Sequence, residues 1–236
     1  MFRVEAAPHG GRLGTGVPRG MPKRVDAGLR RAAIAALVVD VIQREGAASA
    51  TVRRVSAAGG FSAGVITHYF RDKDELIASA FEWLASRSFD QLDRDLAKVP
   101  RGLAALRAAL EFMVPQAEGH SFPAVWLSLW SAAMHNPALA DVHRRYYRRW
   151  RRVLFRCLTD AVQRGETRVP QRMADVVDLL TAGVDGLWLA VTFEGGRFSG
   201  PRRKRLLAQL MAAALSPRAS GAAPRARART PVRRPR

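Results

Sequence analysis

Phe122, Trp126, Trp130 and Met134 recur every four residues, a spacing that places all four on one face of a helix. Asp185 and Trp188 stand three apart in Val184-Asp185-Gly186-Leu187-Trp188-Leu189 and are neighbours on a helix surface. Tyr146, Tyr147 and Trp150 supply further rings from the segment between. Aromatic faces around one carboxylate suit a quaternary ammonium ion, which is held by cation–π attraction and needs no hydrogen-bond acceptor for its charged head. Phe122, Trp126, Trp130, Tyr147, Asp185 and Trp188 are therefore the candidate ligand-binding residues. The same spacing also fits a tryptophan-rich core in which Asp185 pairs with an arginine, and spacing alone leaves both readings open.

A second chemistry is written in residues 51–70, TVRRVSAAGGFSAGVITHYF. Two short helices meet at Gly60, which can take the positive φ that a tight turn requires. Val52, Val55, Phe61, Val65 and Ile66 would form the small core that holds them at a steep angle. The second helix is then free to enter a DNA major groove with its N-terminal residues. Ser62, Ala63, Gly64, Thr67 and His68 fall on its exposed side, close to base edges and backbone, and Gly64 permits close approach. Thr51 and Arg53, at the start of the helix before it, are suited to phosphates. So are Tyr69 and Lys73, the latter helped by the positive end of the helix it opens. Tyr69 also fits a core aromatic, and His68 an exposed residue without a contact.

Catalysis and metal binding find no such pattern. The five histidines are scattered, and none pairs with Asp, Glu or Cys at metal-ligand or triad spacing. There is no nucleophile elbow and no phosphate-cradling glycine loop. The reading is a non-enzyme without metal or cofactor. The one cysteine, Cys157, cannot form an internal disulfide and is expected as a small buried core residue, which suits a reducing cytoplasm. No apolar run approaches the ~18 residues of a membrane span, and the N-terminus lacks the apolar stretch of a secretory signal. A cytoplasmic protein without membrane association is expected.

The continuation Thr67-His68-Tyr69-Phe70-Arg71-Asp72-Lys73-Asp74-Glu75-Leu76 resembles the TetR family of bacterial regulators, whose recognition helix ends in such an H/Y-Y-F triplet before a turn, a lysine and a long helix. The resemblance spans about Leu29 to Leu84. Two positions depart from it: Ala63 stands where many relatives carry a polar or basic residue, and Gly59 where alanine is usual. The glycine would cost its helix roughly 0.5–1 kcal/mol. Phe122–Pro137, with its FPAVWLSLWSAAMHNP run, and the VDGLWL segment resemble the BetI-type branch, repressors of choline-to-glycine-betaine genes. That likeness implies choline or a related cation as effector, caged by Trp126, Trp130, Asp185 and Trp188.

These residues need an all-α scaffold to position them. Helical periodicity covers about Leu29–Glu45, short helices after Thr51 and after Ser62 (as N-cap), and a long helix after Asp72 that runs towards Pro100. Glu75 gives Asp72 a capping-box spacing. Further helices fit Gly102–Ala117, Pro123–His135, Ala138–Arg164, Gln171–Phe193 and Arg202–Leu215. The organisation expected is a basic arm over 1–20, a helix-turn-helix DNA-binding domain over 21–72, a helical effector-binding and dimerisation domain over 73–215, and an Arg/Pro-rich tail over 216–236. Both ends are expected to be disordered, and residues 1–20 fit equally an extension upstream of a start at Met21. The last two helices carry more apolar surface than one subunit needs, which points to a homodimer formed through them. Such a dimer would meet successive major grooves of a near-palindromic double-stranded operator.

The net charge of +19 fits a polyanionic partner, and by itself also fits a non-specific, architectural nucleic-acid binder. The arginines of 143–152 read as a solvated basic face, since Tyr147, Trp150, Leu154 and Leu158 form one inward stripe.

Overall fold

The computed structural model describes residues 27–114, 122–169 and 172–215. Among them the chain forms nine α-helices and no strand. The basic arm, the Arg/Pro-rich tail and the expected continuation of the fifth helix to Ala117 lie outside the described residues.

Helix α1 (Ala27–Glu45) buries Ile34, Ala35, Val38, Val39, Val41 and Ile42 and stops at Gly46, which has φ +81°. Helix α2 (Val52–Gly59) is capped by Thr51, whose hydroxyl accepts from the Arg54 N–H at 3.2 Å. Gly60 ends it in the left-handed region, φ 65° and ψ 26°, as the turn requires. Helix α3 (Ala63–Tyr69) follows with Ser62 at the cap position, but the serine side chain makes no capping hydrogen bond. Its hydroxyl is left to solvent, contrary to the expected cap.

Helix α4 (Lys73–Leu96) begins as the capping-box spacing predicts: Asp72 Oδ1 accepts from the Glu75 N–H at 2.8 Å. The reciprocal bond is displaced by one residue, with Glu75 Oε2 accepting from the Arg71 N–H at 2.8 Å rather than from the cap residue itself. The other oxygen, Oε1, accepts from Arg31 Nη2 of α1 at 3.0 Å. Arg31 also donates to the Tyr69 carbonyl and lies 4.6 Å from the Phe70 ring centroid. One guanidinium thus ties α1 to the end of α3 and the start of α4.

The remaining helices are α5 (Leu103–Met113), α6 (Phe122–Ala133), α7 (Pro137–Gln163), α8 (Met173–Phe193) and α9 (Gly200–Leu215). Helix α5 starts at Gly102, whose φ is +95°. A Cβ there would stand 2.2 Å from Glu166 Oε2. The bare backbone instead lets that carboxylate reach in and accept from the Leu103 N–H at 2.7 Å. Asn136 caps α7 by accepting from Ala138 and Leu139 N–H, with Pro137 at the first position.

Two apolar clusters result. The first joins α1–α3 to the N-terminal half of α4 and continues into Val125 and Leu129 of α6 and Leu139 and Val142 of α7. The second joins the C-terminal half of α4 to α5, α7, α8 and α9. Helix α4 alone runs from one to the other. Cys157 is buried as expected, and burial pushes its thiol above the ordinary range.

The expected absence of a span-length apolar segment needs correction. Met173–Phe193 is long and apolar enough to cross a membrane by length and composition. In the fold it packs against α7 and α9, and Asp185 sits at its middle. The apolar excess lies on an outward stripe, where Leu179, Leu189 and Phe193 are 47%, 36% and 73% exposed. Val176, Leu180, Val184, Leu207 and Met211, expected to share in a dimer interface, are buried within the chain itself.

Candidate functional site

The reader expected from residues 51–73 takes shape on the surface of α2 and α3. Val55 and Ile66 are fully buried beneath it. Thr51, Arg53, Ser62, Ala63, Gly64, Thr67, His68 and Lys73 are all exposed, and Tyr69 is half-buried. Thr67 Oγ1 donates back to the Ala63 and Gly64 carbonyls at 3.3 Å, which fixes the side chain while leaving its lone pairs outward. His68 meets Tyr69 edge-on with centroids 5.0 Å apart. Arg54 is ion-paired with Glu45, whereas Arg53 and Lys73 form no ion pair among the described residues and present free charge. Gly64 has only Ser62 Oγ near its missing Cβ, at 3.8 Å, so its surface is open.

Gly59 was expected to weaken α2 for want of a side chain. The structure gives the opposite reason for it: a Cβ would fall 2.5 Å from the Phe61 ring and 2.6 Å from Leu37 Cδ1. The glycine makes room for Phe61 to fold back under α2.

The aromatic stripe of α6 and the Asp185–Trp188 pair of α8 converge on one cavity with α4, α5 and α7. It measures about 80 Å³, several times the ~10–15 Å³ a single water needs. Its wall includes Trp126, Trp130, Tyr147, Asp185 and Trp188, five of the six expected ligand residues. Phe122 opens α6, but its side chain lies outside the described ones. Met134, expected on the same stripe, falls beyond the end of the helix and is 80% exposed.

Inside, Trp130 tilts against Trp188 with centroids 5.1 Å apart, and Tyr147 packs edge-on to Trp130 at 6.3 Å. Tyr147 Oη donates to Asp185 Oδ2 at 3.0 Å. Asp185 therefore pairs with a phenol and not with an arginine. Burial raises the Asp185 carboxyl to about 6, against the smaller opposing effects of the Tyr147 hydrogen bond and Arg151. His143 stacks on Tyr147 at 4.3 Å, and burial holds it below the ordinary histidine range.

Sequence reasoning missed the contribution of α4: Phe81, Ser88, Phe89 and Leu92 form one side of the cavity. The signal was present, since Phe81, Ala85 and Phe89 are spaced by four and share a face, with the small alanine leaving room between the rings. Phe112 and Met113 of α5 complete the wall.

The arginines of 143–152 are outward, as expected, but they are not idle. Arg145 pairs with Glu82 and Arg149 with Asp93, both on α4, while Arg151 pairs with Asp178 on α8. Tyr146 adds a bond from its hydroxyl to the Glu82 carbonyl at 3.1 Å. Exposed pairs contribute little each, about 0–1 kcal/mol. Their effect is to fix the register of α7 against α4. Among the described residues no group of three or more His, Cys, Asp or Glu could hold a metal.

A helix-turn-helix reader joined through one long helix to an enclosed aromatic cavity defines a DNA-binding transcriptional regulator. Residues 35–80 match the family model described as bacterial regulatory proteins, tetR family. Residues 102–216 match that of the BetI-type transcriptional repressor C-terminal domain. The chain is 33% identical over 205 residues to the HTH-type transcriptional regulator BetI of Stenotrophomonas maltophilia, covering 83% of this chain and all of that one. It is 29% identical to BetI of Escherichia coli, with 77% of this chain and 91% of that one covered. In fold it resembles a transcriptional regulator from Saccharomonospora viridis crystallised in complex with choline, at TM-score 0.69 and 20% identity, covering 78% of this chain and 96% of that one. The chain belongs to the TetR family, with a BetI-type C-terminal domain. That membership supports a sequence-specific repressor and not the architectural nucleic-acid binder that charge alone would allow.

Proposed function

We propose that this protein is a homodimeric repressor released from its operator by a small quaternary ammonium cation, choline or a close relative. The observation that carries the reading is the Asp185 carboxylate, held by Tyr147 at 3.0 Å beside the faces of Trp130 and Trp188. A buried carboxylate needs a compensating charge or hydrogen bonds, and a cation that also favours ring faces supplies it. The choline complex of the Saccharomonospora viridis regulator supports the same ligand class. The protein acts by occupancy of a cytoplasmic DNA site and has no catalytic role.

On the DNA side, Ser62, Ala63, Gly64, Thr67 and His68 meet base edges and the nearby backbone, while Thr51, Arg53, Tyr69 and Lys73 hold phosphates. The reader occupies 21–72, and 73–215 senses the effector and dimerises. Subunits join through α8 and α9, where the outward stripe of Leu179, Leu189 and Phe193 is an isologous surface of the kind a two-fold axis needs.

Helix α4 couples the two functions. Its first turns are packed under the reader, and Phe81, Ser88, Phe89 and Leu92 further along it line the cavity. A cation preferring one tilt of α4 shifts the population between two reader spacings, to the extent that it binds those states unequally. The test is footprinting of the dimer on its own upstream DNA at moderate ionic strength, with and without choline, beside tryptophan fluorescence titration. A discrete protected palindrome that saturating choline releases is expected. Protection indifferent to choline would remove the effector, and no protected site would remove the regulator.

A further inference from the structure

The cavity holds more than rings and a carboxylate. Of its hydroxyl-bearing residues, Tyr147 donates to Asp185, Tyr146 to the Glu82 carbonyl, and Ser88 to the Leu84 carbonyl at 2.8 Å. These donors are already committed within the protein. The indole N–H groups of Trp130 and Trp150 differ: both are buried, and neither has a hydrogen-bond partner among the described residues. Trp150 is 3% exposed, so solvent does not relieve it. Both rings belong to the cavity wall. Unpartnered buried donors are uncommon in folded proteins, and two in the wall of one cavity call for an acceptor that the cavity itself receives.

We propose that the effector is not a bare cation but one that carries an acceptor oxygen, and that the Trp130 and Trp150 N–H groups read that oxygen. The inference rests on the cation-sensing role given above to Asp185 and its surrounding rings. It adds a division of labour. Ring faces and Asp185 take the ammonium head, which has nothing to donate or accept, and the indole edges take the hydroxyl, carboxylate or ester oxygen at the other end. A site built to satisfy a ligand oxygen rejects the analogue lacking it, because its own donors are then left unpaired.

The test compares choline with n-propyltrimethylammonium, in which a methyl group replaces the hydroxyl, by calorimetric titration of the full-length dimer. Choline should bind roughly tenfold more tightly, as one hydrogen bond of ordinary net strength gives. In the Trp130→Phe, Trp150→Phe double variant the ratio should fall to within about twofold. Weakened ring packing affects both ligands alike and leaves the ratio unmoved. Indole ¹⁵N–¹H resonances of the unmodified protein give a second reading independent of any variant. Choline should shift two of them downfield and the propyl analogue should not. Equal affinity of the two ligands for the wild type, or a ratio that survives in a folded double variant, overturns the proposal while the cation sensor stands. Binding of neither ligand overturns both.

Discussion

Tyr147 on α7 donates its phenolic proton to Asp185 on α8 across 3.0 Å, so the one acid in the aromatic cavity is oriented by a neighbour that carries no charge. The carboxylate keeps its negative charge available to a ligand, and burial makes that charge costly until one arrives.

Replacing Asp185 by Asn keeps the shape and removes the charge. Choline affinity should fall at least about tenfold, or ~1.4 kcal/mol. The ligand-free variant should be no less stable than the parent, since a buried carboxylate has been removed. Calorimetric titration and thermal unfolding measure the two effects. Unchanged choline affinity would remove Asp185 from the site.

The same group sets a pH dependence. Its pKa is raised from 3.8 to about 6 by burial, so the folded, ligand-free state favours the neutral acid. Its contribution to stability is therefore present below 3.8 and lost as pH rises through about 6. Cation binding runs the other way, weakening towards tenfold per pH unit below about 6 as the carboxylate protonates. Of the charged neighbours, Arg151 is a cation throughout. His143, held low by burial, adds repulsion only on the acid side and so steepens the same trend. Titrations from pH 5 to 8 in about half-unit steps, with Asp185→Asn as the flat control, decide this.

Lys73→Ala should weaken binding to every DNA sequence alike. It should also lower the slope of log affinity against log salt by ~1, as loss of one phosphate contact requires. Lys73 is exposed at the first position of α4, so the fold is untouched. A loss confined to one operator position would contradict a phosphate role.

Gly59→Ala should destabilise the protein by about 1–3 kcal/mol in denaturant unfolding, because the new Cβ overpacks against the Phe61 ring and Leu37. Propensity alone predicts a gain of roughly 0.5–1 kcal/mol. In a Phe61→Leu background the sign should move back towards that gain, and a stabilising effect in the wild-type background would refute the packing account.

Leu179→Asp with Phe193→Asp places two charges on the outward stripe of α8. Light scattering should show a monomer at concentrations where the parent is dimeric, with dissociation strengthened about 100-fold or more and helicity by circular dichroism retained. Persistence of the dimer would put the interface elsewhere.

How much of this was written in the sequence differs by element. Local chemistry fixed what depends on a few adjacent residues. Gly60 had to end α2, Asp72 had to begin α4, and the four-residue spacing of Phe122, Trp126 and Trp130 had to give one helix face. The recognition segment was legible for the same reason, since its fold, exposure and family likeness all sit within 51–76. Longer-range outcomes were not. The spacing of Trp188 and Asp185 was equally good for a filled core, and only the approach of α4, α5 and α7 left a space between the rings. Asp185 could have paired with any of many arginines, and the register of α7 against α8 gave it Tyr147. The role of Gly59 was misjudged from propensity, because the ring that needs its space returns from beyond the turn. Which apolar residues of α8 are left outward was likewise decided by α9 and α7 covering the rest. Helix period and capping are nearest-neighbour effects, whereas a cavity is a property of five helices packed at once.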